Sequence, residues 1–198
     1  MMAVPVHYRR DVIMLPDFLI DIQIETEVLP YSLAAATSKG VLWQATQDNF
    51  LLEVPEVCRY LVKDGRRIVI DAAPDADSEK VVRFLRMTPL AALLYQRSIP
   101  TFHAAAAVKP DTEGCVLLAG DSITGKSVLL SALLQRGWWL LSDDLSIVDL
   151  DNNGQFMVYP TFPEVILWQD AVENLELKVT LPLPFRFIPL IRNILIFI

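Results

Sequence analysis

Cysteine is scarce in this chain of 198 residues, which contains only Cys58 and Cys115. Neither cysteine belongs to a C-x-x-C pair or to a mixed Cys/His spacing, so the sequence offers no cysteine-based metal site. Cys115 lies in an apolar run that is typical of a buried strand. We interpret both cysteines as reduced structural thiols, which predicts a cytoplasmic protein.

Positive charge is also in short supply. The chain has 17 Lys and Arg residues against 24 Asp and Glu residues, a formal net charge of −7 and a sequence pI near 4.8. Binding a nucleic-acid backbone requires a basic face, and no basic cluster is present, so the sequence argues against a nucleic-acid partner. Its 53% hydrophobic and 21% charged residues suffice for the packed core of one large domain or two small ones.

Apolar runs of membrane-spanning length are missing as well. The apolar tail from Leu181 to Ile198 is interrupted by three prolines and two arginines, so it contains no run of about 20 apolar residues. Near the N-terminus, charge and proline interrupt the segment from Asp11 to Asp17, which argues against a cleavable signal. We therefore expect neither a membrane span nor export.

The most informative feature that is present is the segment from Gly120 to Ser127, which matches the pattern G-x-x-x-x-G-K-[ST]. It lies between an apolar run and an apolar-periodic stretch, which predicts a strand, a loop whose N–H groups bind phosphate, and a helix. Lys126 is expected to reach the β- and γ-phosphates, and the Ser127 hydroxyl to bind Mg²⁺. The alternative is an ordinary glycine-containing turn. The residues predicted to bind ATP are Gly120, Asp121, Ser122, Ile123, Thr124, Gly125, Lys126, Ser127 and Val128.

Two adjacent carboxylates, Asp143 and Asp144, end the next apolar run. Phosphoryl transfer needs such groups, because one can hold Mg²⁺ while another accepts the proton of an attacking hydroxyl. Side chains alternate along a strand, so neighbouring aspartates are expected to have two roles rather than one shared site. The alternative is a polar strand end or a helix cap.

These motifs occur in the order of a known family. His103 precedes the glycine-containing segment, Arg136-Gly137 follows the predicted helix, and the Asp-Asp pair closes the next strand. The arrangement resembles the catalytic domain of bacterial HPr kinase/phosphorylase. It resembles still more closely the shorter HPr-kinase-related proteins, some of which phosphorylate lasso-peptide precursors on a serine.

The resemblance implies roles for individual residues. Lys126 and Ser127 would serve phosphate and Mg²⁺, Asp144 would be the base towards the acceptor hydroxyl, Asp143 would lie near the metal, and His103 would support the acidic pair. A purely structural histidine is the alternative for His103. The implied fold is α/β leaning towards α+β, with a mixed sheet and the P-loop core shared with phosphoenolpyruvate carboxykinases.

The chain departs from the family pattern at three places. Ile123 replaces the usual inner glycine, and if that position has a positive φ, a β-branched residue is strained there and nucleotide affinity suffers. Val128 replaces a hydroxyl-bearing residue. Relatives generally continue past Ile198, so we expect a C-terminally truncated domain whose exposed apolar end favours homo-oligomers. Residues 193–198 are expected to form a late strand that ends the sheet.

Punctuation by Asp, Asn, Gly and Pro predicts two regions. Residues 1–97 form a β-rich N-terminal region of antiparallel strands that ends in helices, and residues 98–198 form the P-loop kinase core. In the first region, the Asp64-Gly65 pair predicts a hairpin, Asp77 is a candidate N-cap, and Pro89 separates or kinks two helices. The predicted strands of this region are Gly40–Trp43, Asn49–Val54, Arg59–Val62 and Arg67–Asp71.

In the second region we expect a helix over about Lys126–Arg136, followed by the acidic strand. A hairpin is expected to pair residues 146–150 with residues 155–159.

The sequence therefore predicts an ATP- and Mg²⁺-dependent kinase that transfers the γ-phosphoryl group to a serine hydroxyl of a peptide or small protein. One alternative is a nucleotide-binding regulatory or inactive module, which Ile123 and the expected short C-terminus favour. Another is a small-molecule kinase, which differs only in its acceptor.

Overall fold

A computed structural model describes residues 2–5, 21–110, 112, 114–150, 154, 156–162, 164–167 and 193–197. The chain divides into two compact units. The loop unit comprises Met1–Met14 and Pro100–Ile198, and the β-rich unit comprises Leu15–Ile99. Mixed sheets dominate and helices are few, so the fold is of the α+β class.

The elements are numbered here in chain order. The β-rich unit contains β2 Gln23–Thr26, β3 Ser38–Lys39, β4 Trp43–Ala45, β5 Asn49–Val54, β6 Cys58–Lys63, β7 Arg67–Ala72, α1 Ser78–Leu85 and α2 Thr88–Gln96. The loop unit contains β1 Met2–Pro5, β8 Thr101–Phe102, β9 Ala104–Val108, β10 Gly114–Ala119, α3 Lys126–Gln135, β11 Trp139–Ser142, β12 Ser146–Leu150, β13 Phe156–Tyr159, β14 Glu164–Leu167 and β15 Asn193–Phe197.

The β-rich unit is built on one sheet with the strand order β2-β7-β6-β5-β4-β3. All neighbours are antiparallel except β2, which pairs in parallel with β7. The predicted Asp64-Gly65 hairpin is confirmed, because both residues have positive φ, 53° and 61°, between β6 and β7. On one face of the sheet, Leu51, Leu61 and Val69 pack with Leu29 in a buried cluster.

The two helices of this unit begin where the sequence predicts. The Asp77 carboxylate accepts a hydrogen bond from the Glu79 N–H at 2.9 Å, so Asp77 caps α1 as expected. Pro89 lies in the first turn of α2, where its missing N–H costs nothing. The chain therefore breaks into two helices just before this proline rather than forming one kinked helix.

The predicted strand Gly40–Trp43 is mostly wrong. Gly40 to Leu42 form the connection between β3 and β4, and only Trp43 belongs to a strand. Val41 is fully exposed, so its β-forming character has no sheet face to pack on. The turn needs glycine because a Cβ on Gly40 would lie 2.2 Å from Nε1 of Trp43.

The core of the loop unit is a mixed sheet with the order β11-β9-β10-β15. β9 is antiparallel to both of its neighbours, and β15 pairs in parallel with β10 at the edge, as predicted for the late strand. β9 is a run of four fully buried alanines followed by Val108. Ala105 and Ala107 lie in one cluster with Leu130 and Leu134 of α3, while Ala104 and Ala106 face a second cluster. The small side chains thus let α3 pack closely on the middle of the sheet.

A second sheet of this unit has the order β13-β12-β8. β12 and β13 form the predicted antiparallel hairpin, although Gln155 lies outside the described residues. β1 and β14 form a separate antiparallel pair. The predicted helix from Lys126 is confirmed to within one residue at its end.

Both cysteines are free and buried, as the sequence analysis predicts. Burial raises the pKa of the Cys115 thiol to about 12 and raises the pKa of Cys58 as well. Both groups therefore stay protonated at neutral pH. In the part of the chain that is described, no helix is long and apolar enough to cross a bilayer.

Candidate nucleotide-binding site

The strand directions gather the predicted site residues at one end of the β11-β9-β10-β15 sheet. β10 and β11 are both antiparallel to β9, so their carboxyl ends meet where β9 begins. Ala119 at the end of β10 pairs with Ala104, and Ser142 at the end of β11 pairs with Ala106. The loop after Ala119, the acidic pair after Ser142 and His103 before Ala104 therefore share one edge of the sheet.

The loop after β10, residues 120–125, is called the glycine loop here. It leads directly into α3, whose N-cap Gly125 has φ 92°. Gly120 has φ 149°, and a Cβ there would lie 3.1 Å from Oγ1 of Thr124. Thr124 in turn donates to the Asp121 carbonyl at 2.8 Å. The positive end of a ten-residue helix thus opens onto a compact loop, which is the arrangement that attracts phosphate.

Lys126, the first residue of α3, folds its side chain back over the glycine loop. Its Nζ donates to the carbonyl oxygens of Gly120 and Asp121, both at 2.8 Å. These carbonyls satisfy the ammonium group only as neutral dipoles. An anion held at the start of α3 would therefore compete for the same cation with full charge.

Ser127 and Asp143 meet across the site. The Ser127 hydroxyl donates to Oδ1 of Asp143 at 3.1 Å, and Asp143 is only 5% exposed. The described residues contain no group of three or more His, Cys, Asp or Glu side chains placed to hold a metal ion. A hydroxyl and a single carboxylate suit Mg²⁺, which keeps several waters and takes further ligands from phosphate oxygens.

Asp144 occupies a tight turn between β11 and β12. Its φ is 67°, and the Leu145 N–H donates to the Asp143 carbonyl at 2.9 Å. A bond from residue i+2 back to residue i, with positive φ between them, defines the rare and strained form of the γ-turn. The Asp144 N–H also donates to Oδ1 of Asp143 at 3.2 Å. Local strain of this kind is concentrated at functional sites, where the surroundings hold it in place.

His103 contacts the acidic pair through the backbone. Its Nδ1 lies 3.0 Å from the carbonyl oxygen of Asp144. A carbonyl can only accept, so Nδ1 carries the proton in this contact. The contact that the structure shows for His103 is therefore with the peptide that follows Asp144 rather than with a carboxylate.

Sequence reasoning missed three hydroxyls beside this turn. Ser142 and Ser146 are fully buried on either side of it, and the Thr161 hydroxyl donates to the Leu145 carbonyl at 3.0 Å. The available signal was a serine at each end of the Asp-Asp segment, within runs that are otherwise apolar. Val128, in contrast, is 39% exposed on α3 and makes no polar contact of the kind its replaced hydroxyl would allow.

Ile123 has φ 70° and an 84% exposed side chain. Position 123 therefore has the positive φ at which a β-branched residue is strained. A side chain with a Cβ pays about 1–2 kcal/mol in this conformation, and Ile123 regains little by burial. We expect Ile123→Gly to raise the free energy of unfolding by about 1 kcal/mol, after allowing for the entropy of an unfolded glycine, as measured by urea denaturation.

The matched control for this prediction is Ile123→Ala, which removes the same exposed atoms but keeps a Cβ. If alanine stabilised the protein as much as glycine does, the loss of the exposed side chain rather than relief of backbone strain would explain the gain. A destabilised glycine variant would contradict the prediction outright.

The similarity of this chain to known proteins is confined to solved structures. No family model and no curated protein matches the chain. Among solved structures, it is similar to the Hpr(Ser) kinase/phosphatase from Coxiella burnetii, with 28% sequence identity and a TM-score of 0.30. The similarity covers 42% of this chain and 58% of that one, so the match spans less than two thirds of the neighbour's length.

Proposed function

We propose that this chain is an ATP- and Mg²⁺-dependent kinase that transfers the γ-phosphoryl group to a serine hydroxyl of a peptide or small protein. The observation that carries the proposal is the 3.1 Å contact between Ser127 and Asp143, at the sheet edge where the glycine loop also ends. It joins a hydroxyl at the start of α3, which would bind the metal, to a buried carboxylate directly after the end of β11. Asp144, the next residue, supplies a second carboxylate.

The residues fit distinct tasks in phosphoryl transfer. The glycine loop and the start of α3 would bind the β- and γ-phosphates, with Lys126 exchanging its two carbonyl partners for phosphate oxygens. Ser127 and Asp143 would hold Mg²⁺, which neutralises charge on the phosphates when bound. Binding and orientation of both substrates supply most of the rate enhancement in this chemistry.

Asp144 would act on the acceptor. The serine oxygen forms a bond to the γ-phosphorus while the bond from that phosphorus to the bridging oxygen breaks, and ADP leaves. The hydroxyl proton passes to the Asp144 carboxylate. Asp144 is only partly buried, so its carboxylate is accessible to an incoming hydroxyl.

A second candidate function is nucleotide binding without transfer. The strained φ of 70° at Ile123 favours it, because a loop that is costly to form binds phosphate less well. A small-molecule kinase would use the same residues on another acceptor. The three functions differ in what becomes phosphorylated.

The test follows γ-labelled phosphate from ATP into a panel of acceptors: lasso-type precursor peptides with a serine, an HPr protein and small hydroxyl metabolites. We expect Mg²⁺-dependent labelling of a serine-bearing peptide or protein. Asp143→Asn should reduce the apparent Mg²⁺ affinity about 10- to 100-fold, because a buried amide is a poorer ligand than a carboxylate.

Other outcomes would select the alternatives. Labelling of a metabolite alone would assign a small-molecule kinase. If ATP binds but no acceptor is labelled, the transfer proposal fails and the binding module replaces it.

A further inference from the structure

The turn between β11 and β12, residues 143–145, is called the acidic turn here. Two serines that no part of the proposed function uses lie at its two ends. Ser142 ends β11 and Ser146 begins β12, and both are 0% exposed. Their hydroxyl oxygens are 2.6 Å apart, which is a short hydrogen bond between two buried neutral groups. The bond closes a bridge across the three residues of the turn.

The direction of the hydrogen bond between the two serines follows from a second hydrogen bond, which Ser146 makes to Ala104. The Ser146 hydroxyl donates to the carbonyl oxygen of Ala104 at 2.9 Å. A serine has one hydroxyl proton, and a carbonyl can only accept. The one hydroxyl proton of Ser146 is therefore used in the bond to Ala104. In the bond between the two serines, the Ser142 hydroxyl must donate to the Ser146 oxygen.

The chain of hydrogen bonds ends next to His103. Ala104 follows His103, whose Nδ1 contacts the Asp144 carbonyl. His103, just before β9, thus binds the middle of the acidic turn, and Ala104, the first residue of β9, binds its far end. Ser142, at the near end of the turn, is linked to β9 indirectly through its hydrogen bond to Ser146. The turn is thus attached to β9 along its whole length.

The attachment to β9 holds a turn whose backbone is strained. A residue held at an unfavourable φ costs about 1–3 kcal/mol and persists only where the surroundings determine it. β11 is also irregular just before the turn, with a register shift between Leu140 and Ser142. A bulge followed by a strained turn leaves the direction of the following side chains undetermined by the strand itself.

We propose that Ser142 and Ser146 are positioning residues that set the orientation of the Asp143 and Asp144 carboxylates. The inference rests on the proposed function, because it assigns the serine bridge to the metal-binding geometry of that site. With the bridge intact, Oδ1 of Asp143 stays within 3.1 Å of the Ser127 hydroxyl. Without it, the turn relaxes, and the carboxylate leaves the place where it would bind Mg²⁺.

The test compares the affinity for ATP in excess MgCl₂ with the affinity in EDTA, measured by isothermal titration calorimetry. The ratio of the two dissociation constants reports how strongly Mg²⁺ and ATP support each other's binding. We expect Ser146→Ala to reduce this ratio about tenfold, because groups that orient metal ligands typically contribute 10- to 100-fold to metal affinity. Affinity in EDTA should be unchanged.

The control is Tyr60→Phe, which removes another buried hydroxyl that donates to a backbone carbonyl, that of Val81 at 2.5 Å in the β-rich unit. It should lower stability without moving the ratio. If Ser146→Ala does not fold, Ser142→Ala tests the same bridge, since it leaves the bond from Ser146 to Ala104 in place.

The possible results distinguish failure of this inference from failure of the proposed function on which it rests. If wild type binds ATP with a clear Mg²⁺ dependence and both serine variants keep the wild-type ratio, the inference is wrong and the proposed function stands. If wild type binds no ATP under either condition, the proposed function fails and the inference falls with it.

Discussion

Lys126→Met is expected to weaken binding of Mg-ATP about 30-fold. The lysine is the first residue of α3 and its Nζ lies over the glycine loop, where a phosphate would bind. A hydrogen bond to a charged group contributes about 1.5–3 kcal/mol, and about 2 kcal/mol corresponds to the stated factor. We place the effect towards the lower end because Lys126 gives up two carbonyl contacts at 2.8 Å when it turns to phosphate. Calorimetry of ATP binding in excess MgCl₂ measures it.

The control for charge is Lys109→Met, which removes one positive charge from the same unit. Lys109 directly follows β9, at the opposite end of that strand from Ala104. Long-range attraction of ATP would weaken binding equally in both variants, and salt would screen it. Equal losses would therefore contradict a direct contact between Lys126 and phosphate.

In both units, the features that depend on neighbouring residues could be predicted from the sequence. The motif from Gly120 to Ser127 prescribes a strand, a loop and a helix because each residue acts within a few positions of its neighbours: Gly125 supplies the positive φ at the N-cap, and Lys126 reaches back to the loop. The hairpin at Asp64-Gly65 and the cap at Asp77 are similarly local. Interactions of short range leave a readable pattern.

Other features arise only when distant segments meet. The sequence placed Asp143 near the metal by resemblance, but the contact with Ser127 depends on β9 lying between β10 and β11. The strain at Asp144 is equally hidden, since aspartate adopts positive φ more readily than most residues and gives no warning in the sequence. The serine bridge was missed because each serine, taken alone, is an ordinary strand residue.

The predicted strand Gly40–Trp43 is mostly wrong because strand propensity depends on contacts that the local sequence does not show. Val41 and Leu42 favour strands only where a sheet face can bury them, and here they lie at a hairpin connection, 100% and 45% exposed. The deciding contact is the Trp43 ring over Gly40, which also stacks on Phe50 with centroids 5.9 Å apart. Propensity alone does not reveal which aromatic ring will cover a glycine.

Asp144→Asn is expected to reduce the turnover of phosphoryl transfer about 10²- to 10⁴-fold, the range typical for loss of a general base. The substitution is well matched to the site, because asparagine is one of the few residues that also tolerates a φ near 67°. The γ-turn, its bond from Leu145 to the Asp143 carbonyl and the contact with His103 all involve the backbone and survive the change. Only the proton acceptor is lost.

Asp144→Asn is not expected to weaken binding of Mg-ATP. Among the described residues, no hydrogen bond or ion pair joins Asp144 to the glycine loop. The dissociation constant for Mg-ATP should therefore stay within about twofold of wild type, well below a 1.4 kcal/mol change. Asp149→Asn provides the charge control, because Asp149 lies farther along β12 and its side chain can still accept from the Leu150 N–H as an amide. Steady-state labelling of the acceptor with γ-labelled ATP measures turnover in both variants. An Asp144→Asn protein that binds ATP normally and turns over at the wild-type rate would remove Asp144 from the chemistry, whereas equal losses in both variants would point to net charge rather than to a base.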